Sequence, residues 1–340
     1  MNKYLITKEN LEKFDISGMY RVYENWPDIA YDAYNSNLEV ANFKKINHIV
    51  FVGMGGSGTL GDFFSAILSK SDIHTNIVKG YSLPKTINKN SLVVVTSISG
   101  KTVETLEVLK LAKMKNCKII AFTSGGNVEK FCQKNNISFR KIIKIHSPRA
   151  SFVNFLYSML KVLGPCLSLT NSEVKNSIKE LNKTKEKIWS KNLTKTNPAL
   201  NLALWIKEIP VIYYPWGLQS SAIRFKNSLQ ENAKIHAFVE DVLEASHNGI
   251  VSWEKPSIVQ PIFIQGVDDH PKTKERWSIF ESYFKSKSIE YKKIISNEGD
   301  IITKLVNLIY VLDFASIYLA VNNKIDPSPV KSIVYIKKRL

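Results

Sequence analysis

The chain lacks most of the features that would assign it to other classes. It has three cysteines, Cys117, Cys132 and Cys166, an odd number unclustered with histidine, so neither a disulfide framework nor a zinc site is indicated. It has no uninterrupted apolar run of spanning length: the most apolar stretch, 301–321, is broken by Lys304 and Asp313 and reads as an amphipathic core helix, so no membrane partner is expected. Met1-Asn2-Lys3 leads into a mixed charged segment without a signal-peptide pattern, and a cytoplasmic location follows as the expectation. Acidic residues are the minority, 30 Asp plus Glu against 47 Lys plus Arg, giving a net charge of +17. A basic chain attracts anions, nucleic acid first among them. The lysines are spread along the whole chain, however, and form neither a basic-aromatic stripe nor a helix-turn-helix, so nucleic acid is not expected as a partner.

What is present is an alternation of strands and helices. Apolar, β-branched runs at 46–52 and 92–96 read as strands. After the first, Leu60, Phe63, Phe64, Ile67 and Leu68 recur at helical spacing; after the second, Val103, Leu106, Leu109 and Leu111 do. A strand at 118–123, a short helix at 127–134 and a strand at 138–143 continue the series. Such alternation predicts an α/β fold, a parallel sheet flanked by helices on both faces. A polar helical stretch at 172–195 follows, and then the pattern restarts with strands at 209–214, 258–264 and 289–294 and helices at 220–232 and 272–285. Length gives room for about two domains. The expected organisation is an N-terminal domain over 1–165 with a helical lead-in, a helical linker over 166–195, and a C-terminal domain over 196–340 with a helical tail. Two similar units suggest duplication, with a site in the cleft between them.

The turns after the first two strands of this alternation that lead into long helices carry the chemistry. Gly53-Met54-Gly55-Gly56-Ser57-Gly58 and Ser97-Ile98-Ser99-Gly100-Lys101-Thr102 each open a helix, so backbone donors and hydroxyls converge on one small anion at the end of a sheet. Tight connections alone explain a glycine or two per turn. They do not explain the accumulation of Ser57, Ser97, Ser99 and Thr102, and a phosphate site is the better reading.

Nucleotide alternatives fit less well. Gly53, Gly55 and Gly58 satisfy a dinucleotide fingerprint, but the strand at 75–78 ends at Lys79 where an acid should hold a ribose hydroxyl, which disfavours NAD. NADP survives on that lysine, yet leaves the second turn without a role. Gly100-Lys101-Thr102 resembles the end of a nucleotide P-loop, but Val95 stands where its first glycine belongs. Asp268-Asp269-His270 suggests a metal cluster, yet it precedes a helix with no further spaced ligands, and turn chemistry explains it better.

In the second half, Arg224 to Lys234 carries Glu231 near a helix end, and Ser246-His247-Asn248 follows a loop later. A carboxylate and an imidazole delivered to one cleft supply a base and an acid for proton shuttling. Together with Ser147-Pro148-Arg149-Ala150, Glu231-Asn232-Ala233-Lys234, the two Gly/Ser turns and the tail Ile336-Lys337-Lys338-Arg339-Leu340, these motifs resemble, in the same order, the bifunctional phosphoglucose/phosphomannose isomerases, mostly archaeal proteins of two sugar isomerase (SIS) domains.

The resemblance implies interconversion of glucose 6-phosphate and mannose 6-phosphate with fructose 6-phosphate through a cis-enediolate, without metal or cofactor. It implies phosphate binding by Gly55, Gly56, Ser57, Ser97, Ser99 and Thr102, Glu231 as the base between C1 and C2, Arg149 on the enediolate, and His247 and Lys337 in ring opening. It implies a homodimer in which the histidine reaches the neighbouring subunit's site. Three positions depart from the family pattern. Ile98 stands where an aromatic is common and Lys101 where asparagine is usual; the lysine could serve the phosphate or point to solvent. Counting back from Lys337, a threonine associated with the mannose epimer falls on Val330, while Ser328 offers a hydroxyl nearby. A non-catalytic sugar-phosphate sensor and an amino-sugar phosphate isomerase are the competing readings.

Overall fold

The computed structural model describes residues 6–167 and 169–339. Met1-Asn2-Lys3 and Leu340, the last residue of the tail motif, lie outside the described residues, with Tyr4, Leu5 and Ser168. The described chain forms two compact units whose division is not linear in sequence. One comprises Asn25–Ile178 with the stretch from Lys331; the other comprises the stretch up to Glu24 with Lys179–Val330.

The unit containing Asn25–Ile178 is built on five parallel strands: β1 (His48–Val52), β2 (His74–Val78), β3 (Ser91–Ser97), β4 (Lys118–Thr123) and β5 (Ser138–Lys141), in the order β2-β1-β3-β4-β5. β1 and β3 are buried throughout, as central strands covered on both faces must be. Helices Gly56–Leu68, Val103–Met114 and Gly126–Lys134 make the crossovers. Val50, Val52, Val93 and Val95 pack against Val108, Leu109 and Ala112 on one side. Phe51 stacks on Phe64, and Phe63 meets Phe152 of the long apolar helix Phe152–Leu167. The strand order reverses direction between β1 and β3. In such sheets the carboxyl ends flanking the reversal form the ligand crevice, and both Gly/Ser turns leave the sheet there.

The other unit has four parallel strands, β6 (Ile209–Tyr214), β7 (Phe238–Asp241), β8 (Val259–Gln265) and β9 (Lys292–Ile295), in the order β7-β6-β8-β9. Phe263 at the middle of β8 is ringed by Tyr213, Trp277, Phe280, Phe284 and Tyr291, and Trp253 donates its indole N–H to Tyr213 at 2.8 Å. The N-terminal helices Lys8–Phe14 and Met19–Glu24 belong to this unit and pack on Ile301–Asn322. That helix is a core helix but not an amphipathic one. Nearly every residue in it is buried, including Lys304 and Asp313, the two charges that suggested a polar face. It is long and apolar enough to span a bilayer, and its burial within the unit accounts for that composition. The tail is helical over Lys331–Lys337 and exposed along its length.

Candidate functional site

The two Gly/Ser turns meet. Gly55 has φ +54° and ψ −126°, a conformation that glycine adopts without a Cβ penalty, and a Cβ added there would meet no atom within 4 Å. Gly100 has φ +66° and lies so close to the Gly125 carbonyl that any side chain would overlap it. This contact fixes the second turn against the segment after β4, where Ser124 donates to the Ile98 carbonyl at 2.6 Å. Ser57 Oγ accepts the Ile98 N–H at 3.2 Å, joining the first turn to the second. Ser97 Oγ donates to Thr102 Oγ1 at 3.3 Å, Ser99 Oγ lies 3.5 Å from the same oxygen, and the Lys101 N–H donates to Ser99 Oγ. Four hydroxyls from two turns are thus brought into one cluster.

The helices behind them reinforce its electrostatic sense. Gly56–Leu68 begins at Gly55 and Val103–Met114 at Thr102, and neither receives a side-chain cap. The first N–H groups of a helix have no intrahelical acceptor, and the dipole leaves partial positive charge there, so two uncapped helix starts beside a hydroxyl cluster favour an anion. Gly56 is the first helical residue. Lys101 is exposed. Lys79, on which the NADP reading depended, is bound by Asp62 at 2.6 and 2.8 Å. Burial raises the Asp62 pKa, and Lys79 opposes that rise.

Arg149 is 5% exposed, in the tight turn before Phe152–Leu167. Ser151 builds that turn by donating to the carbonyls of Ile145 and Ser147. Lys337 ends the exposed tail helix of the same unit.

Glu231 and His247 are carried by the other unit. Helix Gln219–Ser228 does not simply end: it widens into a π-turn, Leu229–Ala233, with Glu231 half-buried at its middle. Single π-turns within helices occur frequently at functional sites. Beneath this turn lies a buried polar network. Arg224 and Asp313, 2% and 0% exposed in their side chains, pair at 2.7 Å. Asp313 also accepts from Ser228 at 2.6 Å and from Tyr23 at 3.1 Å. Asn232 donates to Ser316, which donates to the Asp313 carbonyl. Burial tends to lower the Arg224 pKa, but Asp313 overrides it and Glu231 adds to the rise, so the guanidinium stays charged.

Lys234 follows in the left-handed region, φ +59°, and its ammonium donates to the carbonyls of Glu231, Pro327 and Pro329. His247 is exposed after the short helix Val242–Ala245. The Asp268-Asp269-His270 turn is engaged in its own fold. Asp268 pairs with Lys304, Asp269 accepts from Gly266 and Trp277, and His270 caps Pro271–Ser286.

Sequence reasoning missed the π-turn, the Arg224–Asp313 pair and the Lys234 contacts. The one available signal was a lone aspartate, Asp313, in an otherwise apolar helical pattern.

Comparison with known proteins bears on the family and the fold. Residues 42–163 match the SIS domain model, and residues 195–340 match the model described as the bacterial phospho-glucose isomerase C-terminal SIS domain. The chain is 31% identical over 340 residues to a bifunctional phosphoglucose/phosphomannose isomerase of Caldicellulosiruptor bescii, covering 95% of this chain and 98% of that one. It is 27% identical to the protein of the same name from Aquifex aeolicus, over 96% and 97% of the two chains. Among solved structures, the C-terminal domain of glucosamine-fructose-6-phosphate aminotransferase from Francisella tularensis shares the fold, with a TM-score of 0.66 at 16% identity over 94% of this chain and 98% of that one.

Proposed function

The chain belongs to the family of bifunctional phosphoglucose/phosphomannose isomerases, and from that premise we propose how its own residues divide the reaction. The protein is an aldose-ketose isomerase that interconverts glucose 6-phosphate and mannose 6-phosphate with fructose 6-phosphate. The observation that carries the reading is the cluster of Ser57, Ser97, Ser99 and Thr102 at two uncapped helix starts.

The phosphate dianion takes hydrogen bonds from these hydroxyls and from the amides at Gly55 and Gly56. Each charge-assisted bond is worth about 1.5 to 3 kcal/mol. Anchoring the remote end leaves C1 and C2 to be presented to a base held in fixed geometry. Glu231 is that base. It takes a proton from one carbon and returns it to the next, a role for which positioned carboxylates contribute factors of about a hundred to ten thousand. Its place on a π-turn over a hydrogen-bonded buried network supports the assignment. The intermediate is an enediolate anion, and Arg149 supplies a fixed positive charge where that anion develops. His247 and Lys337 serve ring opening and the oxygen-bound protons. The scheme is proton transfer by side chains throughout and calls on no metal or cofactor.

The exposure of His247 supports a homodimer in which it completes the neighbouring subunit's site. The tail helix, with Val334, Tyr335 and Ile336 exposed, offers apolar surface for such an assembly. Three free cysteines fit a reducing cytoplasm. The reading is tested by a coupled assay with fructose 6-phosphate, with and without chelator. Glucose 6-phosphate and mannose 6-phosphate should form equally in both, and product that requires added metal would contradict it. Mixing Glu231→Gln with His247→Ala subunits should restore about a quarter of wild-type activity through heterodimers with one intact site; no recovery between exchanging subunits would contradict the shared site.

A further inference from the structure

Asn248-Gly249, directly after His247, is the only Asn-Gly pair in the sequence. Asn248 stands at the start of the 3₁₀ turn Gly249–Glu254, and the first N–H groups of a helix have no acceptor within it. A capping side chain ordinarily reaches the N–H two or three residues ahead. Here it takes the N–H of the very next residue: Asn248 Oδ1 accepts from Gly249 at 2.5 Å. The Gly249 nitrogen is thereby held against the side-chain amide whose carbon it can attack. Nδ2 of the same amide donates to Glu244 Oε1 at 2.7 Å, which fixes the amide's other end. Glycine at 249 leaves the space in which the Glu240 carboxyl lies, since a Cβ there would overlap it. The same missing side chain leaves the nitrogen unshielded. Asn248 is exposed, so water reaches it.

We propose that Asn248 is a self-modifying site, at which the Gly249 nitrogen attacks the side-chain carbonyl carbon, closes a five-membered succinimide and converts the asparagine to aspartate or isoaspartate. The bond from Gly249 N to Cγ forms as the Cγ–Nδ2 bond breaks, and the displaced nitrogen leaves as ammonia with the proton that Gly249 gives up. Water then opens the ring. Attack at Cγ gives aspartate, and attack at the main-chain carbonyl gives isoaspartate, whose backbone runs through Cγ and is longer by one methylene. Nothing is oxidised or reduced, and water is the only co-reactant. Either product disturbs the turn. Aspartate sets a second carboxylate where Nδ2 met Glu244, and like charges at that distance repel. Burial already raises the carboxyl pKa of Glu240, and Glu244 raises it further, so this corner resists added negative charge. Isoaspartate turns the Asn248 carbonyl, which accepts the Val251 N–H at 3.1 Å, into a side-chain carboxylate. His247 belongs to the same turn, its N–H donating to the Glu244 carbonyl at 2.9 Å. Conversion therefore displaces His247, and the protein loses activity as it ages, chain by chain. That effect on activity rests on the assignment of His247 to the site; the chemistry at Asn248 does not.

The test incubates wild-type protein in mildly alkaline buffer, where the Gly249 nitrogen loses its proton more readily, and samples it for peptide mapping and for turnover of fructose 6-phosphate. The peptide that contains residue 248 should pass to its aspartate and isoaspartate forms, with one added negative charge per converted chain on isoelectric focusing. It should do so ahead of Asn90 and Asn227, which precede serine. The remaining kcat should fall to the unconverted fraction while KM stays constant, since each chain carries its own His247. Asn248→Gln would need a six-membered ring, which closes more slowly, and should keep both residue 248 and its starting activity over the same period. Wild-type residue 248 remaining asparagine overturns the modification. Conversion with activity kept overturns the effect on His247, and Asn248→Gln losing activity as fast as wild type overturns the link between the two. If wild type itself turned over neither sugar, the proposed function would fail, while peptide mapping would still decide whether Asn248 converts.

Discussion

Replacing Asp313 with asparagine keeps the side-chain volume and removes one charge from a site that excludes water. Its carboxylate takes the Arg224 Nη2 at 2.7 Å, the Arg224 Nε at 3.0 Å, Ser228 Oγ at 2.6 Å and Tyr23 OH at 3.1 Å. In Asp313→Asn the guanidinium stays charged and buried without a counter-charge, and the new amide N–H₂ faces groups that can only donate or that have lost their best acceptor. Breaking a buried pair from one side costs about 3 to 5 kcal/mol, a large share of the roughly 5 to 15 kcal/mol that holds a domain folded. Urea titration followed by tryptophan fluorescence suits the test. Trp189, Trp205, Trp216, Trp253 and Trp277 lie in the unit that holds the pair and only Trp26 in the other, so the signal reports chiefly on the affected unit. Arg224→Met combined with Asp313→Leu removes both charges and should recover most of the loss, since a buried pair is often no better than an apolar pair of similar volume. A cost below about 1 kcal/mol for Asp313→Asn, the scale of a surface pair, or a double variant no more stable than the single one, would refute the reasoning.

Ser97→Ala should lower kcat/KM for fructose 6-phosphate about ten- to hundredfold, the worth of one charge-assisted hydrogen bond, and weaken competition by inorganic phosphate to match; unchanged phosphate competition would move the anion site elsewhere. A pH series tests Asp62. Its carboxyl pKa is raised in the folded state, mainly by burial, so the native protein binds more protons than the unfolded chain above pH 3.8 and stability falls as pH rises through the folded value. Asp62→Asn lacks that term, and its stability relative to wild type should increase from pH 4 to pH 7 in thermal melts; a relative loss over the same range would show that the Lys79 pair outweighs burial.

Much of this was legible from periodicity. The central strands β1, β3, β4, β6 and β8 are short apolar runs bounded by turns, and their positions follow from composition to within a residue or two. The Gly/Ser turns were legible because one requirement, close approach of backbone to an anion, selects small and hydroxylated residues together. β7 was not, since a four-residue edge strand with Phe238 exposed carries no burial pattern. The π-turn at Leu229–Ala233 was not either. It differs from a helix only in which carbonyl each N–H reaches, and no residue type encodes that choice. Lys304 and Asp313 were read as a polar stripe because a sequence shows charges but not their partners: Asp268 and Arg224 lie 36 and 89 residues away. The grouping of the first helices with the second sheet was hidden for the same reason, as it rests on contacts such as Tyr23 with Asp313 across 290 positions.

The account turns on Glu231 carrying hydrogen between adjacent carbons, and the most direct measurement runs the isomerisation in D₂O. Fructose 6-phosphate incubated with wild-type protein should yield glucose 6-phosphate carrying solvent deuterium at C2 in those turnovers in which the proton on Glu231 exchanges with solvent before it is returned. Glu231→Gln should lose both product and label by a factor of about a hundred to ten thousand, while inorganic phosphate still binds. Turnover by Glu231→Gln at near wild-type rate with deuterium incorporated would contradict it.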